Sequence, residues 1–162
     1  MSFIYFIAYV IFLRFIELIV AKRNESWARK RGAIEYGHGH YIYIVLLHTM
    51  FIVSMIAEYI YKGGVFNVKV LFVFIFLTLV KVWVIASLGN YWNTKILRVP
   101  DSILIKKGPY KLFKHPNYFI VVCEIMIIPL VFNLYFTAII FTILNSLMLS
   151  IRIKEEERVW AI

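Results

Sequence analysis

Residues 108–118 read GPYKLFKHPNY, which brings Tyr110, Lys114, His115, Asn117 and Tyr118 into one short stretch against a strongly apolar run. Ionisable and aromatic groups in that setting make a polar site at a bilayer surface. Pro109 and Pro116 bracket it; each fixes its own φ and pushes the residue before it toward extended backbone, so helices stop and start here. Lys114, His115 and Tyr118 then sit at a helix N-terminus, where unpaired backbone N–H groups and the helix dipole favour an anionic ligand group. A second pair, Arg152 and Glu156, lies four residues apart in the terminal RIKEEER segment. Its plainest reading is a surface ion pair worth about 0.3 to 0.5 kcal/mol, and Arg preceding Glu is the poorer orientation for one.

The elements that must position these residues follow from composition. With 162 residues and 62% hydrophobic side chains, and a mean hydropathy of +0.81, the chain is too apolar for a soluble globule of its size. The sequence predicts an all-α integral membrane protein of about five transmembrane helices, in one domain spanning residues 1–162. Spans are expected at residues 3–21, 41–61, 66–88, 119–132 and 134–151. The first has no small-residue cleavage site after it and reads as a retained span rather than a signal peptide. The fourth is short and contains Pro129, so it kinks or stops shy of the far side. Asn133 offers a turn, and the last two helices form a C-terminal hairpin.

Lys and Arg number five in residues 22–40, six in 89–115 and three in 152–162, against Lys62 and Lys69 in the loop between the second and third spans. The positive-inside rule puts the N-terminus outside and the basic segments in the cytoplasm, which accounts for most of the +9 charge without a nucleic-acid partner. The hairpin returns its second helix to the side from which the first left, so HPNY and EEER meet at the cytoplasmic face. Arg14, Glu17, Lys81 and Glu124 fall at one depth within their spans and are expected to form a compensated polar layer below that site. Cys123 lies in an apolar run, and disulfides play no part. His38 and His40 lack a third metal ligand at sensible spacing, so no metal is expected. His48 reads as a satisfied bundle histidine, and the GNYW turn, residues 89–92, as an interfacial aromatic anchor. There is no phosphate-binding glycine loop, GxSxG elbow or HExxH motif.

LGNYW, then GPYKLFKHPNY, then a hydrophobic hairpin, then RIKEEER resembles, in that order, the isoprenylcysteine carboxyl methyltransferase family of membrane enzymes. The N-terminal Arg14-Phe15-Ile16-Glu17, the KRNESWARKRGA segment and HYIYIVLLH look like its short bacterial branch. The resemblance implies S-adenosylmethionine as methyl donor, bound by Ser102, Ile103, Leu104, Ile105, Tyr110, His115, Pro116, Asn117, Tyr118 and Glu156. It implies that Arg152 holds an acidic group of a lipid substrate and has a catalytic role. Two features depart from the pattern. Lys114 stands where the family usually has Arg, a point charge without the bidentate fork, and longer members continue well past the paired glutamates whereas this sequence ends at Ile162.

Methyl transfer from a sulfonium to an oxygen anion destroys two opposite charges, so a dry, well-oriented site favours it and an already ionised acceptor needs no strong base. The expected activity is O-methylation of a lipophilic acceptor with an acidic oxygen, of the alkylpyrone or prenylcysteine kind, at the cytoplasmic face of a bacterial membrane. Its partners are this substrate and the membrane lipids. A phospholipid N-methyltransferase is the alternative enzyme; a small transporter or scaffold is the non-catalytic one, and it would have no reason to bind the methyl donor.

Overall fold

The computed structural model describes residues 2–161, with the side chains of His38, His40 and Ala161 outside the described set. The described residues contain five α-helices: α1 (Phe3–Arg29), α2 (His38–Lys62), α3 (Val68–Leu88), α4 (Pro116–Leu130) and α5 (Tyr135–Ala161). Four of them, all but α4, are long and apolar enough to cross a membrane. They run alternately up and down, so one end of the bundle gathers the basic segments and the other gathers aromatic rings. At about 1.5 Å per residue, α1 and α5 are near 40 Å long and outreach the roughly 30 Å hydrocarbon layer, so their last turns emerge at the basic end. Both extend two turns or more beyond the limits that hydropathy alone suggests, because charged residues can continue a helix once it has left the lipid.

The fourth helix ends one residue after Pro129 instead of kinking there. A proline removes a donor and crowds the carbonyl four residues before it, and the chain turns through residues 131–133, with Asn133 at φ +57°, a left-handed conformation that Asn tolerates better than most residues. Asn133 Nδ2 donates to the Val65 carbonyl at 3.2 Å. Next to this turn, Glu58 of α2 is buried and its two carboxyl oxygens accept from the backbone N–H groups of Phe136 (3.0 Å) and Thr137 (2.8 Å). Those are orphan donors of the first turn of α5, which nothing in hydrocarbon could satisfy.

The core lies toward the aromatic end. Phe3, Phe6 and Val10 of α1 pack with Phe51 and Met55 of α2, Phe74 of α3, Ile125 and Ile128 of α4 and Phe132 in the turn. The rings of Phe3 and Tyr59 stack at 3.8 Å, with Phe132 edge-on to both. Farther along α1 the packing changes, and Ile11, Phe12, Phe15 and Leu18 are exposed. The first two helices therefore converge at the aromatic end and leave space between them toward the basic end.

Two three-residue strands, β1 (Ile34–Tyr36) and β2 (Ile96–Arg98), pair antiparallel, Ile34 with Arg98 and Tyr36 with Ile96. They are absent from the sequence-based expectation, since three residues carry too little alternation to be read as strands. Their effect is to tie the α1–α2 connection to the long loop before the GPYK turn. Arg98 adds a bond to the carbonyl of Val159 at 2.6 Å, which fastens the end of α5 to the same layer.

Candidate functional site

The predicted membrane-charge layer forms a closed ring of four ion pairs. Arg14 reaches Glu17 at 2.9 Å and Glu124 at 3.0 Å, and Lys81 reaches Glu17 at 2.5 Å and Glu124 at 2.7 Å. Lys81 and Glu124 are buried. Two cations alternate with two carboxylates, so α1, α3 and α4 share one polar knot with no net charge. Breaking a buried pair strands its partner, a loss on the order of 3 to 5 kcal/mol.

Closer to the basic end, Pro116 opens α4 with His115 as its N-cap residue, as the bracketing prolines require. One turn in, the Tyr118 hydroxyl donates to Glu156 Oε2 and accepts from Arg152 Nε at 2.9 Å. Arg152 and Glu156 thus do not pair with each other across their helical turn; a phenol from the facing helix stands between them. Arg152 is buried, which sets it apart from a surface ion pair. The His115 ring stacks on Tyr118 at 5.5 Å, its Nδ1 is 4.0 Å from Glu156 and its Nε2 is 3.5 Å from Glu157. That Nε2 is buried and makes no hydrogen bond among the described residues. Lys114 is exposed and pairs with Glu157 at 2.6 Å. Burial, and then the charge of Glu156, push the Tyr110 phenol well above its ordinary range, so it remains a donor.

The structure therefore brings Tyr110, His115, Pro116, Asn117, Tyr118, Arg152 and Glu156 together. Among the described residues, Ser102, Ile103, Leu104 and Ile105 make no side-chain hydrogen bond or ion pair with them. The Ser102 hydroxyl closes a local turn on the Val99 carbonyl at 2.6 Å, and Ile103 and Leu104 are exposed at 85% and 56%.

Three participants escape a reading of the sequence. Trp92 is buried, not an interfacial anchor, and its indole N–H donates to Asn117 Oδ1 at 3.4 Å. Asn24 of α1 holds the GNYW turn by donating to the carbonyls of Gly89 (3.1 Å) and Trp92 (2.8 Å). Exposed Tyr91 is the residue of that turn that packs at the surface, edge-on to Trp27 at 5.0 Å. The third is His48, which lines the site's main cavity. The only sequence signal for Trp92 was its place beside the turn residues Gly89, Asn90 and Asn93, which says nothing of which ring turns inward, and Asn24, between Arg23 and Glu25, carried none.

That cavity, of about 420 Å³, opens between α1 and α2 and is floored by α4 and α5. Arg14, Glu17 and Lys81 bound one part of it, Asn117, Tyr118 and Arg152 another, and Ile11, Leu18, Val45, Ile52 and Val53 supply apolar walls. A second hollow of about 290 Å³ lies behind the ion ring, between α1 and α3. No group of three or more metal-ligating side chains occurs among the described residues.

Residues 68–162 match the family described as "Isoprenylcysteine carboxyl methyltransferase (ICMT) family". Over 155 residues, 94% of this chain and 92% of the relative, the sequence is 44% identical to "Uncharacterized protein YpbQ" of Bacillus subtilis (strain 168). It is 29% identical over 154 residues to an "Uncharacterized protein" of Haemophilus influenzae, covering 93% of this chain and 90% of that one. No solved structure matches.

Proposed function

The chain belongs to the isoprenylcysteine carboxyl methyltransferase family, a family of membrane methyltransferases, and from that premise we propose that it uses S-adenosylmethionine to methylate an oxygen of a lipophilic acceptor. The observation that carries this reading is the Tyr118 hydroxyl joining Glu156 to Arg152 at the wall of a cavity that opens between the two membrane helices α1 and α2. A water-soluble donor and a membrane-dissolved acceptor need a site with one side in each phase.

The polar groups suit this donor. Glu156 and Glu157 offer carboxyl acceptors to sugar hydroxyls, the buried His115 Nε2 makes no hydrogen bond among the described residues and has only Glu157 at 3.5 Å, and Tyr110 adds a phenol donor. When bound, S-adenosylmethionine supplies a methyl group on a sulfonium. Arg152 keeps its terminal nitrogens free of partners among the described residues while Tyr118 fixes its Nε, so the guanidinium is oriented to hold an acceptor oxygen by charge-assisted bonds. A fixed cation there holds an anion or a carbonyl and repels a protonated amine, which favours oxygen over a phospholipid amine. Apolar walls around the head group limit water there, which strengthens these interactions. The proposed setting is a bacterial cytoplasmic membrane, with the basic end of the bundle in the cytoplasm.

The test is incubation of the pure protein with labelled donor and three acceptors: an alkylpyrone, a farnesylcysteine analogue and phosphatidylethanolamine. Label in one of the first two supports the reading. Label appearing only in the phospholipid overturns the oxygen acceptor and the part given to Arg152.

A further inference from the structure

We propose that residues 106–113 form a recognition surface for anionic phospholipid at the basic end of the bundle, with Leu112 and Phe113 seated at the edge of the acyl chains and Lys106, Lys107 and Lys111 on the head-group phosphates. The proposal does not depend on the methyl-transfer reading.

Depth along the helices places this segment. The Asn67 N–H donates to the Val131 carbonyl at 2.8 Å, so α3 begins at the level where α4 ends. From that common level α3 runs for 21 residues and α4 for 15, and the difference of six puts the start of α4 about 9 Å short of the end of α3 at 1.5 Å per residue. At about 31 Å, α3 nearly matches the roughly 30 Å hydrocarbon layer by itself. The residues that lead into α4 therefore lie at the depth of the last turns of α3 and not out in water. Side-chain packing gives the same level. A Cβ on Gly108 would collide with Ser87 Oγ and sit 3.5 Å from Trp83 Nε1, so the Gly108 backbone lies directly against the last two turns of α3. Trp83 is exposed, the position of an indole in the aromatic belt of a membrane interface.

From that level a tight turn presents two apolar side chains. The N–H groups of Leu112 and Phe113 both donate to the carbonyl of Pro109, at 3.1 and 3.0 Å, and Pro109 itself is buried. Leu112 and Phe113 are 79% and 65% exposed. Six residues beyond Phe113, in the first turns of α4, Phe119 is exposed as well, so the apolar surface of that membrane helix begins just past the pair. Charge asymmetry across the membrane accounts for lysines in this loop, but not for an adjacent Leu and Phe standing out from it; hydrocarbon at that depth does.

The head group is selected by charge. No acidic residue occurs between positions 102 and 114. Lys114 is taken by Glu157 at 2.6 Å, whereas Lys106, Lys107 and Lys111 are exposed and make no ion pair among the described residues. Lysine stems lie along apolar surface while their ammoniums reach the phosphates. Three such cations around one seated Leu-Phe pair suit a lipid whose head group is a net anion. A choline lipid adds a cation of its own beside each phosphate, which the lysines repel.

The experiment uses the full chain with a bimane label on Leu112→Cys in a Cys123→Ser background. It is reconstituted in phosphatidylcholine vesicles that carry a small fraction of acyl-brominated phosphatidylglycerol or acyl-brominated phosphatidylcholine. Bimane emission is expected to be blue-shifted, shielded from aqueous iodide and quenched by lipid bromine, with phosphatidylglycerol preferred about tenfold or more. Replacing Lys106, Lys107 and Lys111 together by Gln should bring that preference to about parity while thermal unfolding in detergent stays unchanged. Replacing Lys22, Arg23 and Lys30, exposed at the same end of the bundle, by Gln should leave it intact. Water-like emission quenched by iodide overturns the seating of the segment and gives the face to a soluble partner. Equal quenching by the two brominated lipids, or an equal loss in both triple variants, overturns the recognition by these lysines.

Discussion

A single phenol carries more of the site than its size suggests, because the Tyr118 hydroxyl donates to Glu156 and accepts from Arg152. Tyr118→Phe removes both bonds while keeping the ring stacked on His115. Arg152 is buried, so its Nε–H is left without a partner, a penalty on the order of 1 to 3 kcal/mol. Donor affinity measured by calorimetry is expected to weaken about tenfold or more, and an unchanged affinity would show that Tyr118 and Glu156 do not hold the donor. His115→Ala is expected to act in the same direction, through the loss of the ring that stacks on Tyr118 and faces Glu156 and Glu157. Arg152→Lys separates charge from geometry: it preserves the cation but loses the planar fork, so donor binding should hold while acceptor turnover falls.

Between elements, polar side chains do what apolar packing cannot do in lipid, where hydrocarbon surrounds every helix and no water closes the gaps. The ring of Arg14, Glu17, Lys81 and Glu124 pins α1, α3 and α4 at one level, and Lys81→Met leaves Glu17 and Glu124 sharing a single cation. Thermal unfolding in detergent should then drop by the equivalent of about 3 to 5 kcal/mol, with a much smaller change in donor affinity. The reverse ordering would assign the ring to ligand binding. Glu58→Ala is expected to cost about 1 to 2 kcal/mol by uncapping α5, seen as faster amide exchange at Phe136 and Thr137 with the far end of α5 unaffected. The charge ring was legible in the sequence because depth along a span is simple arithmetic and a membrane charge needs a partner. The Glu58 cap was not, since a lone carboxylate near a helix end has no sequence neighbour that reveals its target. The prolines announced where α4 begins and ends, yet whether Pro129 would bend the helix or stop it depended on tertiary space beyond it. The contact between HPNY and EEER followed from hairpin length, but the inward turn of Trp92 and the free face of His48 arise from how α1 and α2 diverge, which no local pattern encodes.

At the scale of the whole molecule, charge asymmetry and site position have one cause. The bundle collects the basic segments at the end where α4 begins and α5 finishes, so the Tyr118 site and the lysine-rich loops share a face, while Lys62 and Lys69 are at the other. The proposed donor is made in the cytoplasm, and only one orientation presents the site to it. Lys30, Lys62 and Lys107 are exposed, which makes them suitable reporters for cysteine substitution in a Cys123→Ser background. A membrane-impermeant maleimide added to intact cells should label position 62 and spare 30 and 107; in inverted vesicles the pattern should invert. Labelling of 30 and 107 from outside would place Arg152, Glu156 and the basic loops away from the donor pool, and the assigned site could not then work as a methyl-transfer centre even if each residue contact were correct.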